Sequence, residues 1–271
     1  MDIHTIEEIV RRPAPPAPGA WREGDAWLGG GTWLYSEPQL ALRRLIDLDG
    51  FGWTPIELVE ETLVLAATCT IRELHDWPVP DDWAARALIR QCCDALLGSF
   101  KIWNMATVGG NLCLALPAGP MISLAAGLDG TCVIWTPDGA KRRIPAAAFV
   151  TGDRTNALGR GELLRAIELP VAGFRSRSAF RQISLTPRGR SAALLIGLGA
   201  PSGGFALTVT AATKRPVRLT FPAVPDAAAL AAALREAIPE GLYHHDVHGA
   251  PDWRRRLTFH LAEDIRRELA A

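Results

Sequence analysis

Ala106-Thr107-Val108-Gly109-Gly110-Asn111-Leu112-Cys113 sets two glycines between a threonine and an asparagine at the start of an apolar run. Upstream, Trp27-Leu28-Gly29-Gly30-Gly31-Thr32-Trp33-Leu34 has the same order of apolar residues, glycines and then a hydroxyl. Glycine takes positive φ at little cost and lets another molecule approach the backbone closely. Consecutive exposed N–H groups in such a turn make a concavity suited to anions. Two such turns in one domain suggest two walls around a diphosphate. Taken alone, each also reads as an ordinary tight turn. The first is neither a G-x-G-x-x-G fingerprint nor a Walker A loop with its lysine. Their matched flanks are what favour the anion reading.

The bulk of the chain excludes several classes. With 271 residues it can bury a sizeable core in one large domain or two modest ones. Its 29 Lys and Arg balance 29 Asp and Glu, so nothing draws it to nucleic acid or an anionic membrane. Only Lys101, Lys141 and Lys214 are lysines, which reads as genomic composition. The opening Met1-Asp2-Ile3-His4-Thr5-Ile6-Glu7-Glu8 is acidic and lacks the apolar core of a signal peptide. No apolar run approaches the roughly 20 residues of a membrane span. A soluble, cytoplasmic protein is expected. Cys69, Cys92, Cys93, Cys113 and Cys132 form no C-x-x-C or C-x₄-C-x₂-C run, so neither a zinc ribbon nor a plant-type iron–sulfur site is encoded. Their odd number suggests reduced thiols.

Along the chain, Thr5-Ile6-Glu7-Glu8 has capping-box spacing and predicts a short helix, ended by a stiff connector at Pro13, Pro15, Pro16 and Pro18. A strand at 26–28 enters the first glycine turn, Ser36-Glu37-Pro38 reads as another helix start, and 45–48 as a strand closed by Gly50 and Gly52. Two short strands are expected at 57–60 and 62–67. Thr70-Ile71-Arg72-Glu73 repeats the capping box and opens a helix through His75. Asp81 is expected to cap a helix over 82–97 with Gly98 as its stop. A buried short helix follows at 121–128, then strands at 131–135 and near 142–144 around the turn Pro137-Asp138-Gly139. A strand at 163–169 ends at Pro170. Strands at 179–184, 205–210 and 217–221, then helices at 226–237 and 253–269, make a small α+β layer.

Here the paired turns become specific. Gly29-Gly30-Gly31-Thr32, Arg44-Leu45-Ile46-Asp47-Leu48, Asn104 to Cys113, Thr151-Gly152 and Gly161-Glu162-Leu163-Leu164 together resemble the flavoprotein (medium) subunit of the molybdenum hydroxylases, of the xanthine dehydrogenase, carbon monoxide dehydrogenase and aldehyde oxidoreductase type. The resemblance spans nearly the whole chain. It implies an α+β fold: an FAD-binding domain of the vanillyl-alcohol-oxidase/PCMH-like type, with two small α/β subdomains, over 1–172. A small α+β C-terminal domain like that of carbon monoxide dehydrogenase flavoproteins would follow over 173–271. It further implies FAD as cofactor, with its diphosphate between Leu28, Gly29, Gly30, Gly31, Thr32, Trp33 and Leu34 on one side and Ala106, Thr107, Gly109, Gly110, Asn111 and Cys113 on the other. Leu163 and Leu164 would approach the flavin, and Arg181 matches a position where the family carries a lysine near it. The implied partners are an iron–sulfur subunit with two [2Fe-2S] clusters, a large molybdopterin-cofactor subunit and an external electron acceptor. No catalytic side chain is implied, because the flavin carries the redox chemistry.

Five positions, in three places, depart from the pattern. Gly119 and Pro120 stand where a serine or alanine and then an aspartate contact the adenosine end. Trp33 replaces an Asp, Glu or Ser, and Lys101 and Trp103 replace a Gln and an Arg. One lost charged hydrogen bond costs about 1.5–3 kcal/mol, which a dinucleotide held by many backbone donors survives. Two rival readings follow: a degenerate scaffold without tight FAD binding, or a self-sufficient flavin oxidase. His244-His245-Asp246-Val247-His248 reads as a solvated loop or a metal site. One of Cys92 and Cys93 is expected buried and the other exposed, and Cys113 packed beneath the second turn. Arg175 and Arg177 read as a solvated edge or as facing an anion.

Overall fold

A computed structural model describes residues 3–11 and 21–271. The connector prolines at 13, 15, 16 and 18 lie outside the described residues. The chain first builds a small parallel sheet from β1 (Glu8–Arg11), β2 (Asp25–Leu28) and β3 (Arg44–Asp47), with β3 in the middle. The helix expected from Thr5 is absent. The Glu7 amide binds the Arg43 carbonyl at 2.7 Å, and Ile9 and Val10 pair with Leu45 and Ile46. β-branched residues that find an open strand edge favour pairing over a lone capping box. The Thr5 hydroxyl donates instead to the Gln39 carbonyl at 2.9 Å. No helix starts at Ser36 either; its hydroxyl donates back to the Trp33 carbonyl at 2.7 Å and closes a turn.

Inside this sheet Arg44 is buried and forks onto Asp25, Nε to Oδ1 at 2.8 Å and Nη2 to Oδ2 at 2.5 Å. The planar guanidinium fits a carboxylate at two points, so the pair fixes the register of β2 on β3.

β4 (Ile56–Val59) and β5 (Thr62–Ala66) form the expected hairpin and open an antiparallel second sheet. α1 (Ile71–Asp76) carries the full capping box: Glu73 N–H to Thr70 Oγ1 at 3.1 Å and Thr70 N–H to Glu73 Oε2 at 2.8 Å. The helix expected over 82–97 is confined to α2 (Ala87–Asp94). The cause is tertiary: Trp83 stacks on Phe174 at 4.4 Å and the Ala85 amide donates to the Phe174 carbonyl at 2.8 Å. Both Cys92 and Cys93 are buried, so the expected split between them fails because their helix is enclosed on more than one side.

α3 (Phe100–Met105), α4 (Val108–Leu114) and α5 (Pro120–Gly127) follow, with α5 buried along its whole length. β6 (Thr131–Trp135) and β7 (Lys141–Pro145) extend the second sheet, α6 (Ala146–Phe149) turns the chain, and β8 (Val150–Gly152) pairs with β9 (Thr155–Asn156). β10 (Leu163–Pro170) inserts at the centre, giving the order β4-β5-β10-β6-β7. α7 (Val171–Arg175) leads into an antiparallel meander of β11 (Arg177–Ser184), β12 (Ser191–Gly199), β13 (Phe205–Thr210) and β14 (Val217–Phe221). α8 (Ala227–Ala237) and α9 (Pro251–Ala270) cover its far face.

β12 has no counterpart among the expected strands, yet it is the centre of this half. Its Leu194, Ile196 and Leu198 enter the core beneath α5, while Ala193 and Leu195 enter the core beneath α8 and α9. A strand covered on both faces loses the alternation that marks a half-exposed one. Gly197 lets α9 lie close, since a Cβ there would stand 2.2 Å from Ile265 Cγ2. Arg254, fully buried on α9, donates Nη1 to the carbonyls of Ala192 and Ala211 at 2.7 and 2.8 Å and also pairs with Asp246.

Candidate functional site

The two glycine segments meet. A Cβ on Gly30 would fall 1.4 Å from the Met105 carbonyl oxygen, so that position holds nothing larger than glycine. Gly31 has φ +69°, the left-handed region, and turns the chain beneath Tyr35. A Cβ on Gly29 would lie 3.2 Å from Thr107 Oγ1. Close packing of the first segment on the residues just before α4 is therefore what the glycines permit.

The second segment differs from its expected form. Gly109 and Gly110 are not in a positive-φ turn; they occupy the first turn of α4, with Thr107 as N-cap. Its amides are already used. Val108 N–H binds the Cys69 carbonyl at 2.8 Å, Gly109 N–H the Ala67 carbonyl at 3.0 Å, Gly110 N–H Thr107 Oγ1 at 3.0 Å and Asn111 N–H the Thr107 carbonyl at 3.0 Å. Gly109 is glycine because a Cβ would stand 2.5 Å from Ala67 Cβ. The segment pins the helix start to the end of β5 and leaves polar side chains, not amides, for a ligand.

Those groups can be named. The N–H groups of Gly30, Gly31 and Thr32 meet no backbone acceptor among the described residues. Thr107 Oγ1 accepts from Gly110, which leaves its O–H free to donate. Asn111 Oδ1 accepts from Met121 N–H at 3.1 Å at the start of α5, which leaves its amide NH₂.

These groups sit on two adjoining clefts of about 550 and 450 Å³, within the range of cofactor sites. Leu28, Gly29, Gly30, Gly31, Thr32, Trp33 and Leu34 line the first, with Ala106, Thr107, Gly110, Asn111 and Cys113 opposite. Leu163, Leu164 and Gly109 line the second. Trp27, Gly29, Thr107, Gly110 and Cys113 border both, so the clefts run into one another. Arg181 is not brought there: its Nη2 binds Glu268 on α9 at 2.5 Å. Arg175 pairs with Glu61 at 2.6 Å, and Arg177 donates to the Glu268 carbonyl at 3.1 Å.

Among the described residues the first cleft carries no Asp or Glu, and its charged residue is Arg190. In the second, Glu162 is neutralised by Arg142, Nε to Oε1 at 2.7 Å and Nη2 to Oε2 at 2.5 Å. Those bonds hold its carboxyl below the ordinary range against the opposing effect of burial. The first cleft also carries Thr32, Ser36, Thr107 and Asn111, and the second Asn156 and Arg160; much of the remaining wall is apolar, with Leu96, Leu97, Ile102 and Leu116 in the first and Leu48, Ala67 and Leu158 in the second. A ligand that carries both an anionic group and apolar surface matches this lining.

Also in the wall of the first cleft, Gly119 caps α5 and Pro120 opens it. A Cβ at 119 would stand 2.9 Å from Asn111 Oδ1 and 2.8 Å from Ile122 Cδ1, so glycine leaves Asn111 room beside the start of this helix. Trp103 does not reach the first or second cleft; its Nε1 donates to the Leu96 carbonyl at 3.2 Å and its ring packs on His75.

The other expected chemistry is structural. His244 is buried and contacts Asp246, which anchors Arg254. Burial lowers the His244 imidazole below its ordinary value. Among the described residues no group of three or more His, Cys, Asp or Glu stands close enough to hold a metal ion. Burial pushes the Cys113 thiol up to about 12, so it is a protonated wall of the cleft rather than a nucleophile. Sequence reasoning passed over Arg190, Trp21, Asn156 and Arg160. Each sits in or beside an irregular segment, where no periodicity points to a cleft. The glycines at 159 and 161 were the nearest available signal.

Abutting clefts with free backbone donors and no competing carboxylate in the first define a chain shaped for an anionic cofactor. A family model described as the FAD binding domain in molybdopterin dehydrogenase matches residues 22–172, and the chain belongs to that family. It is 28% identical over 147 residues to the glyceraldehyde dehydrogenase medium chain of Sulfolobus acidocaldarius, covering 53% of this chain and 51% of that one. It is 30% identical over 155 residues to the nicotinate dehydrogenase FAD-subunit of Eubacterium barkeri, covering 56% and 49%. The chain thus spans about half the length of the curated relatives it matches. Among solved structures, a chain of carbon monoxide dehydrogenase from Hydrogenophaga pseudoflava superposes with TM-score 0.80 at 18% identity, over 96% of both chains. A chain of reconstituted CO dehydrogenase from Oligotropha carboxidovorans gives TM-score 0.80 at 24% identity, over 98% and 97%. The α+β fold is that of these chains.

Proposed function

We propose that this chain is the FAD-holding electron-transfer subunit of a heteromeric molybdenum hydroxylase. The observation that carries the reading is the contact of Gly30 with the Met105 carbonyl, which sets free amides against Thr107 and Asn111 across a cleft without carboxylates. The amides of Gly30, Gly31 and Thr32, with the Thr107 hydroxyl and the Asn111 amide, would hold the diphosphate. Leu163 and Leu164 would line the flavin end and Gly119-Pro120 the adenosine end. When bound, FAD supplies reversible electron transfer. The chain's own part is to hold and orient it; Leu163, Leu164 and Cys113 give that end an apolar wall. The parallel sheet and the layer built on β10 would form the FAD-binding unit over 1–172, and 173–271 the C-terminal one.

In this reading the chain works in the cytoplasm beside an iron–sulfur subunit with two [2Fe-2S] clusters and a molybdopterin subunit, and hands electrons to an external acceptor. The described residues contain no helix long and apolar enough to cross a membrane. The experiment is affinity purification of the chain from its native host, with metal analysis and a flavin-reduction assay. Two co-purifying chains, one with iron and one with molybdenum, and flavin bleaching on addition of an oxidisable substrate are expected. Yellow protein that recovers alone, with no metal-bearing partner, would contradict the assignment.

A second reading, a scaffold that retains the fold without tight FAD binding, is favoured by one observation: the amides of the second glycine segment are spent inside the chain. It predicts colourless protein in the same complex.

A further inference from the structure

Trp33 follows directly on the free amides of Gly30, Gly31 and Thr32, and two guanidinium groups converge on its ring. The Arg154 Cζ lies 5.2 Å from the ring centroid and the Arg190 Cζ 5.9 Å. The three residues come from distant segments: the β8–β9 turn, the first glycine turn and the β11–β12 connection. Arg154 holds φ +54°, a left-handed conformation that glycine or asparagine takes more cheaply. It is also near Glu37, at 3.9 Å. Arg190 differs. It lines the first cleft and has no hydrogen bond or ion pair among the described residues, and no Asp or Glu lines that cleft to neutralise it.

An arginine within cation–π range of an indole is partly ordered before any ligand arrives, which lowers the entropy lost when it binds. Its fork of N–H donors matches phosphate oxygens at two points. The first glycine turn supplies neutral donors and the second segment supplies a hydroxyl and an amide, so Arg190 is the cation this cleft offers to a dianionic diphosphate.

We propose that Arg190, held beside the Trp33 ring, is a cofactor-specificity residue: it binds the diphosphate of the dinucleotide and makes the site select phosphorylated ligands. This rests on the FAD reading above and extends it, because the cation comes from the β11–β12 connection rather than from the matched FAD domain. The C-terminal layer then completes the cofactor site instead of only packing beside it.

The test titrates the full chain and its Arg190→Gln and Arg190→Lys variants with FAD, ADP and riboflavin, following flavin absorbance or heat. Arg190 is exposed in a connection, and thermal melts verify that both variants remain folded. Arg190→Gln is expected to weaken FAD and ADP by about 10- to 100-fold, the range for a charged hydrogen bond. Riboflavin, which has no phosphate, keeps its affinity, and Arg190→Lys recovers part of the loss. Added salt weakens FAD binding more steeply in the wild type than in Arg190→Gln. Unchanged FAD and ADP affinity in Arg190→Gln, with the wild type binding FAD, overturns this inference and leaves the FAD reading standing. Equal weakening of riboflavin also overturns it, by showing a packing role. A wild-type chain that takes up no FAD overturns both.

Discussion

The carbonyl oxygen of Met105 occupies the space that a side chain on Gly30 would need, with only 1.4 Å to an ideal Cβ. This contact joins a turn that follows a parallel strand to the end of a helix some 75 residues later. It brings the free amides of the first turn to face Thr107 and Asn111.

Gly30→Ala is therefore expected to part the two segments. Overpacking of this kind costs about 1–3 kcal/mol, and the melting temperature should fall accordingly. FAD affinity should fall further than stability does, because the donors on the two sides no longer converge. Gly52→Ala is the contrast: Gly52 has positive φ, at +61°, so alanine strains its backbone, but nothing lies within 4 Å of its missing Cβ. That variant should lose stability and retain FAD.

Thr107 has two duties, capping α4 through Gly110 N–H and offering its own hydroxyl to the cleft. Thr107→Ala should cost about 1 kcal/mol of stability from the lost cap, together with a loss of FAD affinity. Thr107→Ser should restore both. A variant that loses stability but binds FAD normally would remove the hydroxyl from the site.

The Asp25–Arg44 pair sets an acid limit. Burial pushes the Asp25 carboxyl upward, but the bonds from Arg44 and from the Arg22 amide outweigh it, and the folded value lies below the ordinary 3.8. The unfolded chain then binds the proton more readily than the folded one. This stabilisation is complete above the ordinary value and is lost as pH falls below it. Melting temperature should drop through that interval, and Asp25→Asn should be less stable at neutral pH with a flatter acid limb.

Arg254 ties α9 to β12 and to the chain after β13. Truncation to alanine leaves the buried carbonyls of Ala192 and Ala211 without this donor and takes from Asp246 its arginine partner, a class of change that costs about 3–5 kcal/mol. Arg254→Ala should melt far below the wild type or fail to accumulate. An unchanged melting curve would mean that this cluster does not anchor the C-terminal layer.

Much of this architecture was legible where a local signal and the tertiary context agree. The capping box at Thr70 and Glu73 is present as spelled, as are the β4–β5 hairpin and the Pro137-Asp138-Gly139 turn, where Gly139 has φ +84°. The same capping-box spelling at Thr5 failed because β3 offers an edge to pair with. β12 was missed because burial on both faces erases its period, and α2 was overextended because Trp83 is held by Phe174. At the site, both glycine segments were visible and their contact was not, since Met105 has no pattern that announces a backbone neighbour. Reading Gly109-Gly110 as a turn was the main misjudgement. Glycine there serves helix-to-strand packing against Ala67, which spends the amides that an anion would have used. Arg181 was carried over by position, and Glu268 holds it elsewhere.

The most direct measurement is the visible spectrum of the purified chain after incubation with FAD and removal of the excess. The expected result is a stable yellow protein with one FAD per chain, and a Gly30→Ala variant that washes colourless. A folded wild-type chain that remains colourless would contradict it.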